Sequence, residues 1–325
     1  MTRALIVTEH GDRSVLAVRD MDVAAPAAGQ LQVKVAAVGV NFIDVYKRQG
    51  VYPLDTPFVL GEEAAGEVVA VGEGVEGFTV GQRVAWAQFT GSAAELVNVD
   101  AAGVVPVPDG LDLETAAAAM LQGMTAHYLT NSTWPLQADE IALVHAAAGG
   151  VGQLLVQMAR TKGAVVVATA GSEEKLQIAR DLGANHTINY REFEGEALAA
   201  EVRRLAGRGV DVVYDGVGKA TFDASLASLR PRGLMCLFGG ASGQVPPFDL
   251  QRLNAAGSLF VTRPTLGSYL LDRDELLWRS GDVLGALADG SLKLGIGGRY
   301  PLERAADAYE ALEGRQTTGK LILTI

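Results

Sequence analysis

Along the first hundred residues, apolar positions gather in short Val-rich runs, Leu31–Val40, Ala65–Val71 and Arg83–Ala87. Turns such as Gly72-Glu73-Gly74 and Val80-Gly81-Gln82 separate them, and the pattern predicts a β-rich region. Met1–His10 reads as a first strand, too short and too polar for a signal peptide. Asn41–Arg48 has helical spacing through Phe42, Val45 and Tyr46. The Ala-rich segment Leu113–Leu129 predicts a long helix, broken or bent near Gly123. The period then changes. Ile141–Val144, Ala164–Thr169, His186–Ile188, Val210–Tyr214, Leu234–Phe238 and Leu259–Thr262 are short strand candidates alternating with amphipathic helices, which predicts a doubly wound parallel sheet with right-handed crossovers. Gly163 and Gly183 stand where the C′ glycines of the first two of these helices belong. After Pro264 the pattern gives a helix (Asp274–Ala288), a short Gly-rich segment, a helix (Leu302–Glu313) and a last strand, Lys320–Ile325.

The alternating region opens on Val144-His145-Ala146-Ala147-Ala148-Gly149-Gly150-Val151-Gly152, with a helical pattern following from Val151 to Lys162. Strand, tight turn and helix form the setting in which a Gly-rich loop holds a dinucleotide pyrophosphate on free backbone N–H groups at a helix N-terminus. The spacing is Ala147-x-Gly149-x-x-Gly152, so the first Gly of the G-x-G-x-x-G fingerprint is replaced by Ala. Only one such fold begins mid-chain. Residues 125–264 are therefore expected to form a Rossmann dinucleotide-binding domain, and residues 1–124 and 265–325 together the other domain.

Composition narrows the chemistry. The 325 residues, 49% hydrophobic and 20% charged, are those of a globular enzyme, and no apolar run reaches the length of a membrane span, so a cytoplasmic protein is expected. A net charge of −11 without a Lys/Arg block leaves no electrostatic footprint for nucleic acid. The single cysteine, Cys236, lies in an apolar run; it forms neither an intramolecular disulfide nor a multi-Cys zinc site and reads as core.

The choice of nicotinamide follows from what the second strand lacks. NADH sites place an acid about 20 residues past the glycines, on the ribose 2′-OH. Here the segment is Thr169-Ala170-Gly171-Ser172. Ser172 is placed to cap the next helix, and Lys175 stands at its third position, where a capping box would have Glu. A cation in a first helical turn is unfavourable unless an anion is present, and a 2′-phosphate is that anion. Tyr190, after the third strand, adds a hydroxyl. NADPH is therefore expected, with a solvated Lys175 and a packing Tyr190 as the bland alternative.

With these residues in view, the chain resembles the quinone oxidoreductase branch of the medium-chain dehydrogenase/reductase superfamily. The resemblance runs from Val38–Asp44 and Leu60–Val68 through the glycine loop, Val212–Gly218 and Gly233–Gly239 to Val261–Pro264. It implies an α/β protein in which a GroES-like catalytic domain, built by both chain ends, carries an inserted Rossmann domain. It implies a homodimer through the last Rossmann strand, Leu259–Thr262. It also implies an NADPH site lined by Gly150, Val151, Gly171, Ser172, Lys175, Tyr190, Phe238, Gly239, Arg263 and Arg315, with Asn41, Phe42, Ile43 and Thr125 closing around the nicotinamide. Zinc-containing relatives carry Gly-His-Glu where this chain has Gly61-Glu62-Glu63, and a ligand Cys where it has Gly39 or Val40. One carboxylate, Glu62, does not make a site, so no metal is expected.

Without a Lewis acid, the accessible reaction is hydride delivery to an acceptor that is already electrophilic, a quinone or an activated enone, whose product anion needs only hydrogen-bond donors. Candidate donors are the Asn41 amide and the hydroxyls of Tyr46, Tyr52 and Thr125, against packing for the tyrosines and back-bonding to a helical carbonyl for Thr125. His127, His145 and His186 are candidate proton donors, with His145 expected to be a hydrogen-bonded structural residue. Two alternatives share the scaffold: an NADPH-dependent enone or enoyl reductase, and a non-catalytic, crystallin-like NADPH-binding protein.

Overall fold

The computed structural model describes residues 1–314 and 317–325. Arg315, expected at the cofactor, lies outside the described residues. The chain divides into two compact units, Met1–Met124 with Leu270–Ile325, and Thr125–Tyr269.

The first unit is mainly antiparallel. The long strand Gln30–Val40 pairs with Glu63–Val71, Leu96–Asp100 and the C-terminal strand Lys320–Thr324, so segments from before and after the second unit share one sheet. Alternation along Gln30–Val40 buries Leu31, Val33 and Val35 against Trp86, Val68 and Leu323 in a single core. A second, three-stranded sheet joins Leu16–Met21, Thr2–Val7 and Phe58–Val59. The Gly-rich segment near residue 297 becomes a strand, Ile296–Pro301, paired parallel to Lys320–Thr324, with a register shift between Ile296 and Gly298. Its glycines mark that irregularity and a close approach to the Tyr300 and Leu321 side chains rather than a loop.

Helix Leu113–Tyr128 runs through Gly123 without the expected break. A Cβ at Gly123 would lie 2.5 Å from Val283 Cγ1, so this glycine serves close packing against helix Arg273–Ala288. Past Tyr128 the backbone widens into one π-helical turn, Leu129–Thr133.

The second unit is a six-stranded parallel sheet. Its spatial order is His186–Asn189, Val165–Ala170, Ile141–Val144, Val210–Asp215, Leu229–Leu237, Phe260–Thr262, the Rossmann order. Gly163 (φ +79°) and Gly183 (φ +106°) take the left-handed conformation that ends the first two helices, as their positions predict. The core packs Leu143, Val167, Val213 and Met235 against Leu198, Val202 and Phe222. This unit extends past Pro264 to Tyr269. There the Tyr269 ring stacks on Tyr128 at 4.2 Å, and its hydroxyl accepts a hydrogen bond from Thr133 at 2.8 Å. No helix among the described residues is long and apolar enough to cross a membrane.

Candidate functional site

In a parallel sheet every strand points the same way, so the loops after the strands gather along one edge. The first leads from Val144 into helix Gly150–Thr161, whose N-cap, Gly149, offers no side chain to the first helical N–H groups. Those N–H groups have no intrahelical partner and form a ready anion site. The turn is tight. Ala146 sits at φ +51°, its carbonyl accepts from the Gly149 N–H at 2.9 Å, and Ala147 N–H donates to Thr169 O at 3.0 Å. A Cβ at Gly152 would lie 2.8 Å from Ala147 Cα and collide with the Ala146 carbonyl, so the third glycine of the fingerprint is obligatory. Ala147, where the fingerprint has Gly, is fully buried.

His145 sets the base of this loop. It is buried, with Nδ1 2.9 Å from Thr169 Oγ1 and Nε2 3.0 Å from Ser225 Oγ. Ser225 in turn donates to Asp215 at 2.7 Å, and Asp215 also accepts from the Val217 and Gly218 N–H groups. Burial lowers the His145 pKa, partly opposed by Asp215, so the ring is neutral and structural, as its sequence position suggested. It ties three strand ends together. Cys236 is core: burial pushes its thiol up.

At the end of the second strand Ser172 caps helix Glu173–Asp181 and accepts the Lys175 N–H at 3.4 Å, with Lys175 at the third helical position. Gly171 lies under the Tyr190 hydroxyl, which would be 2.5 Å from a Cβ there. On the other side of the sheet centre, the Phe238 ring covers Gly216, and Phe238 N–H donates to Asp215 O at 2.9 Å. Gly149–Gly152, Gly171, Ser172, Lys175, Tyr190, Phe238 and Gly239 thus follow strand ends along one sheet edge. Arg263 follows the edge strand Phe260–Thr262, at the opposite end of the sheet order from Tyr190, and is exposed.

These residues suit a phosphate-rich dinucleotide. The loop closes only with glycine, its N–H groups face no capping side chain, and no acid ends the second strand. The sequence reading missed one neighbour: Arg191, beside Tyr190, whose Nε would lie 3.4 Å from a Cβ at Gly171. Only its adjacency to Tyr190 in the chain pointed to it.

In the first unit, Asn41 begins helix Phe42–Arg48. Its N–H donates to Asp44 at 2.8 Å, its amide N–H groups to Gly39 O at 3.2 Å and to Glu63 at 2.8 Å, and its Oδ1 accepts from Lys320 at 2.7 Å. The amide expected to serve an acceptor is thereby committed inside the unit. Lys320 also pairs with Glu63, both fully buried, while the second Glu63 oxygen accepts from Leu121 N–H at 2.5 Å. Glu63 occupies the space that a side chain at residue 39 would need. Glu62 pairs with Lys47 and accepts from Thr90 at 2.6 Å. Among the described residues no group of three or more His, Cys, Asp or Glu side chains is arranged to hold a metal. Asp44 is buried, with Oδ1 unpartnered and Oδ2 accepting from Tyr309 at 3.0 Å; burial, then the Glu62 charge, pushes its pKa up to about 7.

The same helix presents Phe42, Ile43 and Tyr46, all half-buried. The Tyr46 carbonyl accepts from the Val51 and Tyr52 N–H groups at 2.9 and 3.3 Å, which folds the following loop back. The Tyr46 and Tyr52 rings then meet edge to face at 5.6 Å. Thr125 is buried, and its hydroxyl makes no hydrogen bond among the described residues, in contrast to Thr130, which bonds back to Ala126 O at 2.9 Å. The expected back-bonding of Thr125 is absent.

Comparison with known proteins places this arrangement. Residues 27–109 match the alcohol dehydrogenase GroES-like domain and residues 150–275 the zinc-binding dehydrogenase domain. A quinone oxidoreductase of Salmonella typhimurium is 44% identical over 97% of both chains. A 2-haloacrylate reductase of a Burkholderia species is 39% identical over 99% of both. A mycobacterial protein solved in complex with NADPH superimposes over 100% of both chains with a TM-score of 0.97 at 45% identity. The chain belongs to the quinone oxidoreductase branch of the medium-chain dehydrogenase/reductase superfamily.

Proposed function

We propose that the protein is an NADPH:quinone oxidoreductase that reduces quinone-type acceptors by hydride transfer without a metal. The observation that carries the reading is the cofactor edge of the parallel sheet: a loop that closes only with glycine, uncapped helical N–H groups, and cations at a strand end with no acid. Gly149–Gly152 would hold the pyrophosphate, Ser172, Lys175 and Tyr190 the adenosine 2′-phosphate, and Phe238 and Gly239 the middle of the dinucleotide. Bound NADPH supplies a hydride. The similarity to proteins named quinone oxidoreductases, and to a chain solved with NADPH, supports this assignment.

The acceptor-side work falls to this chain's hydroxyls. As a quinone takes up hydride its oxygen gains negative charge, and a fixed O–H donor lowers the barrier by stabilising that charge. Tyr46, Tyr52 and Thr125 are assigned as donors. Asn41, whose amide is already committed, orients the start of the helix that carries Tyr46. No step is assigned to a metal, because Glu62 is held by Lys47 and residue 39 is a glycine whose side-chain space Glu63 fills.

Tyr46→Phe and Tyr52→Phe test the donor roles. Each is expected to lower kcat with 1,4-benzoquinone by about 10- to 100-fold while NADPH still binds, as for loss of one donor to a developing oxyanion. Wild-type turnover in both would sink the assignment. A second reading, reduction of activated alkenes, is favoured by the similarity to a 2-haloacrylate reductase. NADPH oxidation measured against a quinone, a short enone and an acyl thioester separates the two, and no oxidation with any would favour a binding-only role. A cytoplasmic homodimer completes the proposal, pairing through strand Phe260–Thr262, whose Phe260 and Val261 are 57% and 37% exposed.

A further inference from the structure

Parallel pairing sets Ala170 beside Asn189, so the chain leaves two neighbouring strands at the same level. Gly171 follows the first. The turn after the second folds back over it, bringing the Tyr190 hydroxyl and Arg191 Nε to 2.5 and 3.4 Å from where a Cβ at Gly171 would stand. The turn is fixed by Asn189, whose Oδ1 accepts the Arg191 N–H at 3.1 Å. Lys175 arrives at the same place from helix Glu173–Asp181. Burial and then the nearby Arg191 charge push its ammonium down in pKa, with Glu174 opposing.

The Arg191 charge therefore acts on Lys175, with Glu174 opposing it, and two further carboxylates are engaged elsewhere. Glu173 pairs with Arg180, and Glu192 accepts from the Asn189 amide at 2.9 Å. Arg191 is exposed and its guanidinium makes no ion pair among the described residues. Like charges set together cost free energy unless an anion enters between them.

We infer that Arg191 is a specificity-determining residue: over Gly171 beside the Tyr190 hydroxyl, its guanidinium binds the 2′-phosphate of NADPH and disfavours NADH. The inference rests on the NADPH reading above. A planar guanidinium matches phosphate oxygens in bidentate fashion, which an ammonium does not. A ribose 2′-OH brings no charge, so NADH would gain none of the charge-assisted bonds that the guanidinium offers, and discrimination arises from that difference.

The test is a titration of wild-type, Arg191→Ala and Arg191→Lys protein with 2′,5′-ADP, 5′-AMP, NADPH and NADH. Arg191→Ala is expected to weaken 2′,5′-ADP and NADPH by about tenfold while 5′-AMP and NADH stay within twofold, with a shallower salt dependence. Arg191→Lys is expected to keep part of the preference, since it keeps the charge and loses the fork. A wild-type preference for 2′,5′-ADP that persists undiminished in Arg191→Ala overturns the assignment alone. Equal weakening of all four ligands also overturns it, as the mark of a damaged turn. Equal wild-type affinity for 2′,5′-ADP and 5′-AMP overturns the NADPH reading and the assignment with it.

Discussion

The two units treat polar groups in opposite ways. At the cofactor edge of Thr125–Tyr269, helical N–H groups are left uncapped at Gly149, and Lys175 and Arg191 are held near one another. Around Asn41 in the other unit, Lys320, Glu63, the Asn41 amide and the Leu121 N–H satisfy one another out of water. The first arrangement leaves helical N–H groups and the exposed Arg191 guanidinium for a ligand to satisfy. The second spends the same groups on holding a helix start and its tyrosines in place. A binding surface needs the former and a rigid support the latter.

Breaking the closed network has the largest expected consequence. Lys320→Met leaves the Glu63 carboxylate buried and unpaired, at a cost of about 3–5 kcal/mol measured by urea unfolding. Lys320→Met combined with Glu63→Gln is expected to recover a large part of that loss, because no lone charge remains. If the single variant is as stable as wild type, the pair is not the support described.

Asp44 sharpens the same point through pH. Its folded pKa of about 7 lies above the 3.8 of the free group, so the native state keeps the proton after the unfolded chain has released it. The contribution is complete below pH 4 and is lost as pH rises through 7, about 1–2 kcal/mol of it between pH 5.5 and 7. Stability of Asp44→Asn, which cannot titrate, is expected to lose that part of the pH dependence. Parallel pH profiles for the two proteins would remove Asp44 from the account.

The open arrangement answers to smaller changes. Lys175→Ala is expected to reduce the ratio of NADPH to NADH affinity by about tenfold, leaving thermal stability nearly unchanged. An unaltered ratio would mean that the lysine is a solvated surface residue.

The sequence made the cofactor edge legible and most of its counterpart not. Gly149, Gly152, Ser172 and Lys175 lie in one short stretch with a recognisable strand, turn and helix, and their roles follow from local backbone geometry. Arg191 needed the pairing of two strands to bring it over Gly171. Lys320 reaches Glu63 across 257 residues, which no local period reports. Asn41 was read as a donor because its residue type allows it, whereas the fold had already engaged its amide. Gly123 looked like a helix breaker; its reason is Val283, far along the chain. Tyr46 and Tyr52 were suspected singly, and it is the Tyr46 carbonyl that brings their rings together.

The close seating of Glu63 against Gly39 also constrains which substitutions position 39 of this chain tolerates. A thiol at position 39 and the Glu63 carboxylate compete for one volume, so Gly39→Cys on its own would evict the partner of Lys320 before any metal could repay the loss. Seating a thiol there requires the Glu63 carboxylate to swing to another rotamer and Lys320 to find another partner. One glycine thus decides which side chain owns that volume, and with it whether the buried ion pair can form.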